Sequence, residues 1–590
     1  MKDTVRIGCF AAFWGDTKTA IPNLLDGAEI DYLVADYLSE ITMALLARAR
    51  AKDPAAGYVA DFVTTIEPVL PQIAERGIKI VCNAGALNPV AAARAVRAAG
   101  ERAGVQLTVA AVEGDDVLPR AHELADATDM FTGRPLPAKP GSMNAYLGAR
   151  PVAAALAAGA DVVVTGRCVD AAVVLGPLMH EFGWKDDEYD LLAAGSLVGH
   201  LVECGPQVTG GNTTDWAEVP GWENMGYPVA EVRPDGTAVI TKPRGTGGLV
   251  TPLTVGEQML YEIGDPGAYL MPDVVCDWRE VILTQDGENR VLVRGAKGSA
   301  PTTTYKVTAT AVEGYRALTT AMFAGVGAAG KARRMAEALI ARTERLIAGA
   351  GFEPLAESSI EVVGAGDVTG SPEPGPGTET VVKIGVKHTD KAALEIFSTE
   401  FAAFALIAQG MTGVFAGRPR VAPSIAVYHL LVPKAETPVR LVIGDSDDAE
   451  RTVPVDISPG TADAVTSTER LPESTAPAGG RVVPLVEIAV ARSGDKGNLA
   501  NIGLLARKPE YAEVLRTQVT AERIAAHFAQ VAPSEVRRWA VPGVHGINIV
   551  LDEVLGGTGG TSTLRYDPQG KSFGAMLLSL PVTVSEEASS

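Results

Sequence analysis

The 590-residue chain has little cysteine, few aromatic rings, no basic run, and nowhere the roughly 18 consecutive apolar residues of a membrane-spanning helix. Its five cysteines, Cys9, Cys82, Cys168, Cys204 and Cys276, are odd in number and far apart, which excludes a disulfide framework and the paired spacing of a zinc site. A formal net charge of −20 repels a nucleic-acid backbone and an anionic membrane, so neither is expected as a partner. Anionic small molecules stay open, because a local pocket of Arg or Lys reverses the sign. The N-terminus has no charged region leading into an apolar stretch and a cleavage site, and a cytoplasmic protein is expected. There is no Walker sequence and no H-E-x-x-H, which removes the most readily recognised routes to NTP and zinc-protease chemistry.

What is present is a rhythm. Short apolar runs at Val5 to Cys9, Ile30 to Ala35, Ile78 to Cys82, Leu107 to Ala111 and Asp161 to Val164 alternate with helical periodicity at Glu40 to Arg50, Tyr58 to Arg76, Pro89 to Ala103, Asn144 to Ala158 and Asp170 to Phe182. A strand buried on both faces reads as a continuous apolar run, and each parallel crossover needs a helix, so a Rossmann-like α/β fold with a parallel sheet is expected. Ligands of such sheets lie beyond the carboxyl ends of the strands. There the runs stop at polar or glycine-rich clusters containing Asp16, Asp36 to Glu40, Asn83 to Gly85, Glu113 to Asp116 and Gly166 to Asp170. Asn88 before Pro89 spells a capped helix start, and Asp170 is placed to cap the helix after it.

The chain is too long for one core. Residues 1–226 are expected to form the α/β parallel-sheet domain with the candidate active site. From 227 to 457 the texture changes to alternating runs such as Thr237 to Thr241, Val281 to Thr284, Val291 to Val293 and Thr304 to Thr310, with Asp235-Gly236 and Asp286-Gly287 as turns. A long helix from Lys331 to Ala348, strands at Ser359 to Val363 and Thr380 to Val386, and a loop at Gly370 to Gly377 complete an α+β middle section packed on the first. Residues 458–480, rich in Ser, Thr, Pro, Ala and Gly, read as a linker. Residues 481–586 read as a small α+β module, with strands near Val482 to Ala491, Ile549 to Leu555 and Met576 to Leu580, helices near Pro509 to Leu515 and Ala521 to Phe528, and a frayed tail from Ser585.

The densest polar segment runs from Gly199 to Asn212. It holds acid or base groups in His200 and Glu203, a thiol in Cys204, and a turn, Thr209-Gly210-Gly211, whose amides can face an anion. On a helix His200 and Cys204 share a face, so a Cys nucleophile with a His base is geometrically open. Carboxylates are the second theme. Asp16, Asp36, Glu40, Asp115, Asp116, Asp170 and Glu203 can divide acid and base roles or hold a divalent cation, though each alone also serves as a cap or a solvated side chain. Arg167 among them suits a substrate carboxylate or a neighbouring Asp. In the last module, Arg492-Ser493-Gly494-Asp495-Lys496-Gly497-Asn498 reads as a glycine-flanked loop for a phosphate or carboxylate, and Gly556 to Thr561, with Gly557, as a second one.

Taken together, Phe13-Trp14-Gly15-Asp16, Asp36-Tyr37-Leu38-Ser39-Glu40-Ile41-Thr42-Met43, Asn83-Ala84-Gly85-Ala86-Leu87-Asn88-Pro89, Thr165-Gly166-Arg167-Cys168-Val169-Asp170, Gly199-His200-Leu201-Val202-Glu203-Cys204-Gly205 and Thr209-Gly210-Gly211 resemble the acyclic terpene utilisation protein A (AtuA) family. The run Ala491 to Gly497 resembles the ferredoxin-like module that follows its main domain. The resemblance implies an enzyme of branched or unsaturated acyl-CoA breakdown, with coenzyme A as part of the substrate, and carries no set of catalytic residues. The residues themselves suit a lyase that adds or removes water, or cleaves a carbon–carbon bond, next to a thioester. Glu203, His200 and Asp170 are the expected acid and base, with Asp36, Asp16 and Cys204 in reserve. Arg167, Asn83, Thr209, Gly210 and Gly211 would meet the carboxylate or thioester oxygen. Arg492, Ser493, Asp495, Lys496 and Gly557 would meet the phosphate part, across a domain or subunit boundary. Two other classes stay open, a divalent-metal hydrolase and a non-catalytic acyl-binding or assembly subunit of a carboxylase or lyase complex. No protein ligand set for a metal is nominated, and a homo-oligomer is expected for an enzyme of this size.

Overall fold

A computed structural model describes residues 2–370, 378–413, 417–461, 465, 467–473, 480–557 and 562–585. The five apolar runs are strands: β1 (Val5–Ala11), β2 (Tyr32–Ala35), β3 (Lys79–Cys82), β4 (Val109–Glu113) and, after the intervening β5 (Ser142–Ala145), β6 (Val162–Thr165). They pair in parallel in the order β1-β2-β3-β6-β4. Alternate residues explain the unbroken apolar runs. Leu33, Ile80, Val109 and Val162 pack under helices Ala20–Gly27, Glu40–Lys52 and Pro89–Arg102, while Val34, Val81, Ala110 and Val163 pack under Arg150–Ala157, Ala172–Phe182 and Tyr189–Val202.

Antiparallel strands extend this sheet to eleven: Val229–Val232, Ala238–Thr241, Val291–Arg294 and Ile282–Gln285 beyond β1, and Val439–Gly444 and Arg451–Val455 beyond β4. One sheet therefore draws strands from both sides of residue 226. The change of texture at 227 marks the switch from parallel to antiparallel pairing, not the end of a sheet. A second sheet is built on the 21-residue strand Thr304–Ala324, which pairs with Val421–Pro433, Glu379–His388 and β5 and is covered by helices Ala328–Gly349 and Lys391–Ala403.

The expected helix from Asn144 is corrected: Asn144 and Ala145 are in β5, and the helix starts at Arg150. Pairing of β5 with Val307–Thr310 overrides local periodicity. The helix expected from Tyr58 to Arg76 is interrupted at Glu67–Val69, where Pro68 cannot continue it. Gly325-Val326-Gly327-Ala328-Ala329-Gly330 has dinucleotide-type glycine spacing. However, the strand before it pairs only antiparallel among the described residues, so the parallel unit that gives that spacing its meaning is missing.

The C-terminal module is a four-stranded antiparallel sheet in the order Ala489–Lys496, Leu499–Ala506, Gly546–Leu551, Val536–Val541, with its own apolar core. Two expectations fail here. Met576 and Leu577 belong to a helix, Phe573–Leu577, because a short apolar run suits either structure. Arg492 to Lys496 is not a loop but the end of a strand paired in register with Leu499–Gly503, and only Gly497-Asn498 turn the chain. Of the loops, linker and tail expected from sequence, residues 371–377, 462–464, 466, 474–479, 558–561 and 586–590 lie outside the described residues.

The module is pinned to the segment Gly256–Gly264 of the main body. Asn501 Oδ1 accepts from the Glu262 amide at 2.7 Å, Asn548 donates to the Ile263 carbonyl at 3.1 Å, and Arg507 grips Asp215 at 2.6 and 2.7 Å. Glycines allow the approach: a Cβ on Gly494 would lie 2.5 Å from Glu262 Cγ, and one on Gly503 would overlap Leu260. This docking carries the end of Ala489–Lys496 to the carboxyl edge of the parallel strands. No described helix is long and apolar enough to cross a membrane.

Candidate active site

Asp36 follows β2 directly and is 8 % exposed. Its Oδ1 accepts from Asn83 Nδ2 and, at 3.2 Å, from the Leu38 amide, while Asn83 Oδ1 accepts from the Tyr37 amide at 2.8 Å. Asn83 thus holds Asp36 rather than facing a ligand. Burial pushes the Asp36 carboxyl well up, helped by Asp170 and Glu203 and opposed by Arg167. Arg167, beyond β6, donates to Asp170 Oδ1 at 2.7 Å and to the Cys168 carbonyl at 2.8 Å, and its guanidinium lies 4.1 Å from the centre of the Tyr146 ring. Its amide donates to Asp115, whose carboxyl burial raises to about 7. Asp170 is therefore an ion-pair partner and not a cap; the cap position falls on Ala171, with no side-chain bond. Glu40 opens the next helix and accepts from the Tyr146 hydroxyl at 2.7 Å. Burial works to raise its carboxyl, but Lys306 and Arg167 outweigh it and hold Glu40 well below the ordinary range.

The opposite wall is the end of helix Tyr189–Val202. His200 Nε2 is 3.2 Å from the Met259 carbonyl and Nδ1 is 3.3 Å from Glu203 Oε1, with the ring against Trp278 at 5.2 Å between centroids. A carbonyl only accepts, so Nε2 carries the ring proton; burial and Lys496 push the imidazole down to about 4, which leaves it neutral. Nδ1 is then an acceptor facing a carboxyl that burial and Asp170 push well up. A proton on Glu203 would spare the two acceptors the repulsion of facing lone pairs. With both ring nitrogens engaged, His200 is no base for Cys204, and burial together with Glu203 and Glu262 pushes that thiol well up. The Cys–His nucleophile is not assembled.

Asp16 accepts from the Ala12 and Thr17 amides and from the Tyr227 hydroxyl, and so organises its own turn. The Thr209 and Gly211 amides both donate to the Pro206 carbonyl, and the Thr209 hydroxyl to that of Gly226, with Gly210 turning the chain at a φ of +102°. This turn is folded on itself and does not cradle an anion through Thr209 or Gly211. Arg492 is buried and donates to Gln207 Oε1 at 2.7 Å, Gln258 Oε1 at 3.3 Å and the carbonyls of Gln207 and Gly211. Ser493 accepts from the Gly574 amide at 2.8 Å, and the Gly557 amide donates to Asn498 at 3.2 Å. Arg492 ties the module to the main body, while the bonds of Ser493 and Gly557 close within the module.

Asp495 and Lys496 do reach the site, and they meet residues that no motif flagged. Lys306, near the start of Thr304–Ala324, stands 5.0 Å from the Tyr146 ring centre, and burial pushes its amine down to about 8. Glu262 is raised by burial to about 7 and lies 3.2 Å from Lys571 Nζ, an amine that burial lowers to about 8. Burial likewise raises Asp495 to about 8. Burial disfavours the Lys496 charge, but Tyr269, Glu262, Asp170 and Glu40 hold its amine well above the ordinary range. Lys496 is exposed, although charged groups from several parts of the chain act on it. Among the described residues no three His, Cys, Asp or Glu side chains converge in a way that would hold a metal ion.

Residues 5–443 match the family model described as acyclic terpene utilisation family protein AtuA, and residues 483–583 match the AtuA ferredoxin-like domain. No curated protein matches the chain.

Proposed function

The chain belongs to the AtuA family of acyclic terpene utilisation, and from that premise we propose that it is a lyase of branched or unsaturated acyl-CoA breakdown, acting next to the thioester. The observation that carries this reading is the 3.3 Å approach of Glu203 Oε1 to Nδ1 of a neutral His200, with the Glu203 carboxyl pushed well above the ordinary range by burial and Asp170, in the cluster that also holds Arg167 and Glu262. A proton donor that survives at neutral pH, a carboxylate titrating near 7 and a fixed cation are what removal of water beside a thioester requires.

In this reading the Glu262 carboxylate takes the proton α to the thioester carbonyl, and Arg167, held by Asp170, stabilises the enolate oxygen. Glu203 gives its proton to the departing hydroxyl, which leaves as water. Glu262 ends protonated and Glu203 ionised; loss of a proton from Glu262 to solvent and uptake of one by Glu203 restore them, and the same groups run the hydration direction. His200 orients Glu203 and accepts no proton from the substrate. Coenzyme A enters only as part of the substrate.

The test is incubation of the purified protein with a panel of branched and unsaturated acyl-CoAs, followed by mass for a change of about 18 units or for fragment release. Turnover of one panel member supports the lyase. No change with any member, together with co-purification of a carboxylase or lyase, supports a non-catalytic subunit instead.

A further inference from the structure

Two ammonium groups in the pocket stand apart from the rest. Among the described residues no hydrogen bond and no carboxylate within ion-pair distance reaches Nζ of Lys306 or of Lys496. The neighbouring cations are engaged: Arg167 with Asp170 and the Cys168 carbonyl, Lys571 with Glu262. Lys306 touches only the face of the Tyr146 ring, which also carries the Arg167 guanidinium, so two positive groups share one aromatic platform. Lys496 lies near enough to press on Lys306 with like charge. Lys496 is exposed and Lys306 half-buried, so both amines are open to a ligand, and an anion between them would relieve their mutual repulsion.

The surrounding carboxylates act on the two amines through space, but among the described residues none is within ion-pair distance of either. Glu40 accepts from the Tyr146 hydroxyl, Asp170 from Arg167, and Asp36 from Asn83 and the Leu38 amide, while Glu203 faces His200. Lys306 and Lys496 are thus cationic donors left open among engaged acids. They come from different parts of the fold, the long strand Thr304–Ala324 and the end of the module strand Ala489–Lys496, so a group bound between them bridges main body and module.

We propose that Lys306 and Lys496 together bind a carboxylate carried by the substrate, so that the site selects acyl thioesters bearing a second, free carboxylate. This deepens the lyase reading and rests on it for the thioester. Ammonium groups suit a carboxylate as point charges that need no planar fork. A phosphate dianion would meet more repulsion than a carboxylate from the ionised Glu40 beside Lys306, which favours the carboxylate over the nucleotide phosphates of coenzyme A.

Calorimetric binding to the full-length chain tests this with thioester pairs that differ only by the carboxylate: malonyl- against acetyl-CoA, succinyl- against propionyl-CoA, and glutaryl- against butyryl-CoA. Free succinate, glutarate and inorganic phosphate form a second arm. At least one dicarboxylic thioester is expected to bind about tenfold or more tighter than its partner, and that advantage is expected to vanish in Lys306→Met and in Lys496→Met. Equal affinity within every pair overturns the carboxylate site while leaving the thioester reading intact. Lysine-dependent binding of a free dicarboxylate with no thioester bound sustains the site and overturns the thioester reading. Binding of phosphate in preference to any carboxylate, or of no dicarboxylate at all, overturns the proposal. The wild-type comparisons decide even where a variant fails to fold.

Discussion

Asn83 donates its side-chain N–H to Asp36 Oδ1 from the neighbouring parallel strand, and so holds in place a buried carboxyl whose ionisation burial pushes well above the ordinary range. An unfolded Asp ionises near pH ~4 and the folded Asp36 at a higher pH, so stability is full below that pH and falls as pH rises towards the folded value. Asp36→Asn retains the Oδ1 acceptor and removes the ionisable group. Thermal melts are expected to show a Tm raised by a few degrees at about pH 7.5 and unchanged at about pH 3.5. A lower Tm at the higher pH would mean that Asp36 is ionised and paired.

Cys204 sits beside the densest acid–base cluster but has no base, and its thiol is held protonated by burial and by Glu203. Cys204→Ser is expected to leave turnover within about threefold, against the hundredfold or greater loss of a removed nucleophile. Alkylation by iodoacetamide, followed by mass, should be slow up to about pH 8, since only the thiolate reacts.

Arg492 joins the module to the main body through four oxygen acceptors on Gln207, Gln258 and Gly211. Truncation to Met leaves those buried oxygens without a donor and is expected to cost about 2–4 kcal/mol in denaturant unfolding. Turnover of folded Arg492→Met should also drop, because Lys496 and Asp495 reach the pocket on the same strand. A variant as stable as wild type would contradict this docking role.

The parallel strands were legible because burial on both faces writes itself as an apolar run, and Asn88 does accept from the Ala91 amide at the helix start that Pro89 announces. Asp36, Arg167, Asp170 and Glu203 were legible for the related reason that strand ends and a helix end collect ligands. Tyr146 was hidden because its surroundings share a helical period, although residues just before it are in β5. Lys306 looks like any polar residue of an alternating strand. The approach of Lys496 to Glu262 depends on Gly494 and Gly503 letting two layers touch, and no local pattern encodes which surface a bare glycine strand will meet. For the same reason the sequence did not show that the Arg492 guanidinium meets Gln207, Gln258 and Gly211 of the main body.

The account turns on Glu203 as the proton donor. Glu203→Gln keeps the shape of the side chain and removes the transferable proton, and the amide can still donate to His200 Nδ1. On the acyl-CoA that the panel identifies, kcat is expected to fall by about 10²- to 10⁴-fold, with thioester affinity within about threefold and Tm no lower than wild type. Undiminished kcat in this variant would contradict the account.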